Sequence, residues 1–290
     1  MKYEGMIIRP PSEADSLLIQ VTVGCSHNRC TFCPTYKDKK FRIKSYDEIA
    51  EDVLEASGHG GIRRVFLCDG DALIIPQERL LKIITLIKEK LPTVERISTY
   101  ANAKSILKKT PEELVALKEA GLTMVYLGIE SGNDEVLRDI VKGGDFKKIV
   151  AAGKQIKEAG FILSVTILLG IGGIEKSIPH ALDTAKILTK IDPDFVGALT
   201  LMLVPETPLH NDFLAGKFVL PDTFGVLREL EIIIAKSNFT SCFFTSNHAS
   251  NYLPIRAKMP QEKEQVLAML NDVIMRKDKS ALRNEFMRAL

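Results

Sequence analysis

"LTMVYLGIE" (Leu122–Glu130), "FKKIVAAGKQIKEAG" (Phe146–Gly160) and "FILSVTILLG" (Phe161–Gly170) follow one another with one polar link between the first two. The first and third are apolar runs of strand length. The middle one carries apolar residues at helical spacing and ends on glycine. Strand, helix and strand in that order make a parallel βαβ unit, because a parallel neighbour is reached only by a crossover. The same alternation continues upstream. "SLLIQVTV" (Ser16–Val23), "RRVFLCDG" (Arg63–Gly70) and "VERISTYA" (Val94–Ala101) read as strands. "YDEIAEDVLEASG" (Tyr46–Gly58), "PQERLLKIITLIKEKL" (Pro76–Leu91) and "TPEELVALKEAG" (Thr110–Gly121) read as their helices. Proline at one helix start, threonine at another and glycine at two ends mark the boundaries. Downstream, "IPHALDTAKILTKI" (Ile178–Ile191) is a helix and "DFVGALTLMLV" (Asp194–Val204) a sixth strand.

Six β–α repeats with apolar strands predict an α/β fold whose parallel sheet is covered on both faces. Eight units would close a TIM barrel, so six predict a partial (β/α)6 TIM-like barrel. An open doubly wound sheet is the alternative that periodicity does not separate. After Pro221 the pattern changes to one helix, a strand-like "FTSCFFTS", a polar "NHASNYLPIR" and two further helices. The expected organisation is an N-terminal extension over 1–16, a core over 17–210, and an α-rich C-terminal extension over 211–290 that completes or caps the barrel.

The 290 residues are 46% hydrophobic and 26% charged, with a formal net charge of +2, a balance in which nothing argues for a nucleic-acid or membrane partner. The N-terminus "MKYEGMIIRPPSEADS" lacks the apolar core of a signal peptide, and no apolar run has the length of a membrane span. The cysteines number five, an odd count, which fits a reducing compartment, and a cytoplasmic location is expected.

In parallel βα proteins the active site gathers where strands run into their following loops. Those junctions here are "GCSHNRCTFC" after strand one, "CDGDAL" after strand two and "STYAN" at the end of strand three. "GIESGNDEVLRDI", "LLGIGGIE" and "MLVPETPLH" stand at strands four, five and six. Three cysteines within nine residues, Cys25, Cys30 and Cys33, admit three readings. Zinc would require a fourth ligand. A redox dithiol at Cys30–Cys33 would draw on the C-x-x-C spacing. A four-iron cluster held by three thiolates would leave one iron open to another ligand.

The triplet, with Phe32 just before its last cysteine, resembles the cluster loop of the radical S-adenosylmethionine (SAM) superfamily. The later junctions resemble it independently. "GIESGNDEVLR", "LLGIGG" and "LVPETPL" are similar to motifs of the branch containing the Elongator catalytic subunit, methylthiotransferases and oxygen-independent coproporphyrinogen oxidases. The resemblance covers roughly Leu17 to Leu209. It implies an enzyme with one [4Fe-4S] cluster on Cys25, Cys30 and Cys33. The open iron would be chelated by SAM, and reductive cleavage would give a 5′-deoxyadenosyl radical that abstracts hydrogen from a substrate. It also implies anaerobic handling and an electron donor such as a flavodoxin or ferredoxin.

Carried over by position, Phe32 meets the adenine, and Asp69, Gly70 and Asp71 stand in the region that binds the methionine ammonium. Ser98 joins the cofactor contacts. Glu130 and Ser131 would hydrogen-bond the ribose or amino-acid part and Arg138 would reach the SAM carboxylate as a forked donor, the plainer readings being a salt-bridged strand-end carboxylate and a solvated helix residue. Gly170 and Ile171 admit the adenine, and Val204 closes over it. Two departures stand out: four residues separate Cys25 from Cys30 where three are usual, and "CDGDAL" replaces a Gly-Gly-Glu motif.

Other features have plainer readings. Cys68 and Cys242 are expected to be small buried hydrophobes. The basic run "KDKKFRIK" (Lys37–Lys44) is expected to be a solvated loop. In "SNHASNYLPI" (Ser246–Ile255), Asn247, His248 and Asn251 are read as facing substrate together with Asn102, or else as a turn network bonding its own backbone. The expected function is radical SAM chemistry on a small molecule. The alternatives are a radical SAM enzyme that modifies RNA and a non-catalytic zinc or iron–sulfur protein.

Overall fold

The computed structural model describes residues 1–289 and divides into two compact units. The first comprises Met1–Asn28, Thr35–Leu127 and Ala151–Leu163; the second comprises Arg29–Pro34, Gly128–Val150 and the chain from Ser164 onward.

In the first unit the strands are β1 (Leu17–Gln20), β2 (Thr22–Val23), β3 (Arg42–Ile43), β4 (Arg64–Cys68), β5 (Arg96–Ala101) and most of β6 (Leu122–Glu130). The helices are α1 (Tyr46–Ser57), α2 (Gln77–Lys90), α3 (Ala103–Leu107) and α4 (Pro111–Ala120). β1 pairs in parallel with β4, β4 with β5 and β5 with β6, with Ile19 opposite Leu67 and Thr99 opposite Val125. Neighbours therefore follow chain order, the progression of a barrel rather than the reversal of a doubly wound sheet. One sheet face presents Val65, Leu67, Ile97 and Val125, all fully buried. The other holds Phe66, Cys68, Met124 and Tyr126 as one apolar cluster with Tyr100 packed against it. Both faces are covered, as the unbroken apolar strands require.

Helix starts follow local chemistry. Ser45 and Glu48 form a capping box on α1, and Thr110 and Glu113 form one on α4. Each box supplies partners for orphan backbone donors of the first turn.

Three local expectations change in this unit. The strand expected over Ser16–Val23 divides at Val21, whose N–H donates to the Cys68 carbonyl at 2.6 Å. Its last two residues turn to pair antiparallel with β3, Thr22 opposite Ile43. This ribbon closes the base of the cysteine loop. The basic run is not simply solvated, since β3 lies within it. Its Lys44 is buried at 1% exposure and pairs with Asp52 at 3.0 Å. The third expected strand is followed by the extra short helix α3, capped by Asn102.

The second unit contains α5 (Asp134–Asp139), the start of α6 (Phe146–Glu158) and most of β7 (Ile162–Leu169). It continues through α7 (Gly173–Ile191), β8 (Phe195–Thr200), α8 (Pro208–Leu214), α9 (Thr223–Lys236), β9 (Cys242–Thr245), β10 (Arg256–Met259) and α10 (Lys263–Arg276). β7 pairs in parallel with β8 and β8 with β9, while β10 joins β9 antiparallel. α7 starts five residues before the expected Ile178 and carries Pro179 inside it.

The C-terminal stretch departs from the expectation of two final helices. β10 is an added strand, and among the described residues beyond α10 only a single 3-10 turn, Glu285–Met287, forms. Lys277 ends α10 in the left-handed region, φ 49°. No described helix is long and apolar enough to cross a membrane.

Candidate functional site

In the first unit the end of β4 presents Asp69, Gly70 and Asp71, and both carboxylates are fully buried. Asp69 accepts from the Tyr36 hydroxyl at 2.9 Å, and from Gln20 Nε2 and the Gly24 N–H at 3.2 Å each. Asp71 accepts from Ser26 Oγ at 2.5 Å, Ser105 Oγ at 2.6 Å and Asn102 Nδ2 at 2.7 Å. The two carboxylates thus hold Gly24 and Ser26, the residues on either side of Cys25. Gly70, between them, has no room for a side chain. A Cβ there would lie 2.8 Å from the Cβ of Cys25 and 2.8 Å from the Tyr36 ring.

Burial pushes the Asp71 carboxyl up to about 6, against the pull of Ser105, Ser26 and Asn102. Burial likewise raises Asp69, with the Tyr36, Gly24 and Gln20 donors opposing. Burial beside the Asp69 carboxylate raises the Tyr36 phenol. Every Asp69 and Asp71 oxygen already accepts from protein, a grip on the loop that the sequence alone does not reveal.

The longer cysteine spacing is absorbed locally. Asn28 takes the left-handed conformation, φ 46°, and its Nδ2 donates to the Tyr36 carbonyl at 2.5 Å. Asparagine tolerates this region because its short amide bonds the nearby backbone. Ser98 lies within β5, three residues short of the strand end, and its hydroxyl donates to the Val65 carbonyl at 3.4 Å. Asn102 is at the strand end, where it caps α3 while donating to Asp71.

In the second unit the stretch Arg29–Pro34 carries Cys30, Phe32 and Cys33. The Thr31 N–H donates to the Ile140 carbonyl at 3.0 Å, and the Leu209 N–H donates to the Thr31 carbonyl at 3.1 Å. Phe32 packs on a cluster of Val136, Ile140, Leu168, Ile171, Leu201 and Leu209. This brings together two residues assigned to the adenine, Phe32 and Ile171. The Thr31 hydroxyl is buried without a hydrogen-bond partner, as is Nδ1 of His210 on α8. Cys25, Cys30 and Cys33 are all half-buried and none is in a disulfide. Among the described residues no three His, Cys, Asp or Glu side chains converge as a site for a single metal ion.

Glu130 ends β6 at φ 59°, and its Oε1 accepts from Lys142 Nζ at 2.8 Å. Ser131 is buried, with its hydroxyl 2.8 Å from Nδ1 of His180. Arg138 is exposed on α5. Gly170 follows β7 at φ 80° and donates its N–H to Oε2 of Glu229 at 2.6 Å. Val204 is half-buried, and its carbonyl accepts from Thr207 Oγ1 at 2.7 Å.

The polar loop before β10 bonds largely to its own backbone and to β8. Asn251 is buried, its Oδ1 accepting from Thr200 Oγ1 at 2.9 Å and its Nδ2 donating to the Ala198 carbonyl at 2.8 Å. His248 Nδ1 lies 2.9 Å from Ser250 Oγ, and Asn247 is exposed. Arg283 donates to the carbonyls of His248, Ala249 and Asn251.

Tyr36, Lys142, His180 and Glu229 escaped the sequence reading. One of them had left a signal: Glu229 interrupts an otherwise apolar helical face formed by Val226, Leu230 and Ile233.

A family model described as the Radical SAM superfamily matches residues 19–185. The heme chaperone HemW of Bacillus subtilis is 23% identical over 214 residues, covering 69% of this chain and 56% of that protein. The chain spans about half the length of the curated relatives it matches. Among solved structures, methylornithine synthase (PylB) is 20% identical at a TM-score of 0.53, covering 77% of this chain and 63% of that one. The radical SAM methyltransferase TsrM from Kitasatospora setae, solved with cobalamin and a [4Fe-4S] cluster bound, is 20% identical at a TM-score of 0.55. That match covers 67% of this chain and 38% of TsrM. At these identities the structural likeness establishes the fold, a partial TIM-like α/β arrangement.

Proposed function

Because the chain belongs to the radical SAM superfamily, we propose that it binds one [4Fe-4S] cluster through Cys25, Cys30 and Cys33 and acts with SAM on a small-molecule substrate. When bound, the cluster and SAM supply the chemistry, a one-electron cleavage of the sulfonium to methionine and a 5′-deoxyadenosyl radical that abstracts hydrogen. The observation that carries the reading is the seating of Cys25, pressed against Gly70 and flanked by two residues that Asp69 and Asp71 hold.

The residues fit the group. Three half-buried cysteines outside any disulfide supply soft sulfur donors, the ligand type that iron–sulfur clusters take. The buried Thr31 hydroxyl, lacking a partner between Cys30 and Phe32, is a spare donor beside those thiolates.

Each remaining part of the chain has a binding or orienting task. Phe32 and Ile171 offer an apolar wall for adenine, and Gly170 lets the backbone approach it. Glu130, turned out of its strand at positive φ, presents a carboxylate whose charge Lys142 balances. Arg138, exposed on α5, is the forked donor we assign to the SAM carboxylate. Asp69 and Asp71 are occupied by protein donors, which leaves the backbone of the Asp69–Asp71 turn as acceptor for the ammonium. Asn102, Asn247 and His248 are the residues we assign to substrate. A flavodoxin or ferredoxin would supply the electron, and the reducing cytoplasm suits such chemistry.

Anaerobic reconstitution tests the reading. The expected product is brown protein absorbing near ~400 nm with about four irons per chain. It should release 5′-deoxyadenosine when SAM and dithionite are added. Colourless protein with one zinc per chain and no SAM cleavage would refute it.

A further inference from the structure

The turn after β7, "GIGG" (Gly170–Gly173), contains three glycines, two of them at positive φ: Gly170 at 80° and Gly173 at 62°. Such a turn has little conformational preference of its own, so something outside it must hold its shape. Glu229 of α9, 59 residues from Gly170 in sequence, does this. Its carboxylate is fully buried. Oε2 accepts the Gly170 N–H at 2.6 Å and Oε1 accepts the Ser177 hydroxyl of α7 at 2.7 Å. One carboxylate therefore ties the residue that enters the turn to the helix that leaves it.

The same helix reaches the turn after β6. His180, three residues beyond Ser177, is fully buried, with Nδ1 2.8 Å from Ser131 Oγ. Its Nε2 has no hydrogen-bond partner and stands 3.8 Å from Oε2 of Glu229. Thr184, one turn further, accepts the Gly132 N–H at 3.0 Å. α7 is thereby bonded to both glycine-containing turns, and the Glu229 carboxyl stands at the centre of that arrangement.

A carboxylate on the apolar face of a helix is unfavourable for packing, and an apolar side chain of similar volume would serve α7 and α9 at least as well. Accepting the Gly170 N–H is a role that methionine could not fill. We propose that Glu229 is a positioning residue for SAM binding, its carboxylate holding the Gly170–Gly173 turn in the conformation that receives the adenine. This inference rests on the assignment of that turn to SAM.

The test compares the cluster-loaded wild type with Glu229→Met and Glu229→Gln. Iron content, melting temperature and the SAM dependence of 5′-deoxyadenosine release under dithionite are measured for each. Glu229→Met, apolar and close in volume, should keep its iron and stay folded at the assay temperature, with a melting temperature lowered by the loss of the acceptor for the Gly170 N–H and the Ser177 hydroxyl. It should raise KM for SAM about fivefold or more with kcat within about twofold. Glu229→Gln, which keeps an oxygen acceptor for Gly170, should restore KM to within about twofold of wild type. A KM for Glu229→Met indistinguishable from wild type at equal iron content overturns the proposal, as does a Gln variant no better than Met. Should the Met variant fail to fold, Glu229→Asp, a methylene short of Gly170, is judged by the same KM criterion. A wild type that holds its cluster and releases no 5′-deoxyadenosine would refute the SAM assignment itself, a different failure.

Discussion

Cys25 occupies the space that a side chain on residue 70 would need: a Cβ on Gly70 would stand 2.8 Å from the Cβ of Cys25. The backbone of Gly70 is not in the left-handed region, so the constraint is steric and not conformational. Gly70→Ala should push Cys25 aside and cost about 1–3 kcal/mol, the usual range for overpacking. Urea unfolding of the apoprotein measures the stability loss, and iron content after reconstitution should fall with it.

Cys25→Ala should abolish the cluster, whereas Cys68→Ala and Cys242→Ala should leave iron content unchanged. Both of the latter thiols are buried, and burial pushes the Cys68 thiol well up, so it stays protonated and a poor ligand. Iron and acid-labile sulfide assays on the three variants decide the ligand set.

Asp71→Ala should leave the Ser26, Ser105 and Asn102 donors without their shared acceptor. The expected loss is about 2–4 kcal/mol, since hydrogen bonds to a charged group exceed neutral ones. Loss of affinity for SAM with no change in unfolding free energy would show that Asp71 meets the cofactor instead of holding the loop.

The spacing between Cys25 and Cys30 depends on Asn28 at φ 46°. Asn28→Gly should keep the turn and cost little, and Asn28→Val should cost about 1–2 kcal/mol because a β-branched residue resists the left-handed region. Reconstitution yield should follow the same order, with glycine above valine.

Burial raises the Glu229 carboxyl from 4.5 to about 7. The folded state therefore binds its proton more tightly than the unfolded chain. The stability this contributes is full below pH 4.5 and is lost as pH rises through about 7. His180 runs the other way, since burial lowers it from 6.5 to about 4. Its contribution is full above pH 6.5 and is lost as pH falls through about 4. The trends oppose each other where they overlap, so Glu229→Gln is the reference that isolates the carboxylate. The unfolding free energy of wild type relative to that variant should decline between pH 5 and 7, by an amount on the order of 3 kcal/mol across the full window. A flat difference would show that Glu229 titrates normally.

Much of the fold was legible from residue order. Apolar strands alternate with amphipathic helices, and a parallel pair needs a crossover, so the six β–α units from Leu17 to Thr200 could be read directly. Thr110 and the glycine after α4 marked their helix ends because capping is a local interaction. The cysteine triplet was legible for a related reason: three ligands within nine residues lie on one loop whatever the rest of the chain does. Membership of a superfamily follows from that loop and the junction motifs taken in order.

Tertiary structure alone decided what the buried polar groups do. Asp71 meets Ser26 across 45 residues and Glu229 meets Gly170 across 59. No local pattern announces such pairs, because a hydrogen bond depends on where the fold brings two atoms and not on their spacing in the chain. "CDGDAL" read as the region that receives the ammonium, by a carboxylate or a backbone carbonyl, and only the fold shows that protein donors already reach both carboxylates. Asn251 read as a substrate contact or as part of a turn network, and only the fold shows that both ends of its amide are bonded to β8. Residue type determined which chemistry this chain can carry; burial and long-range pairing decided which of those residues remain available for it.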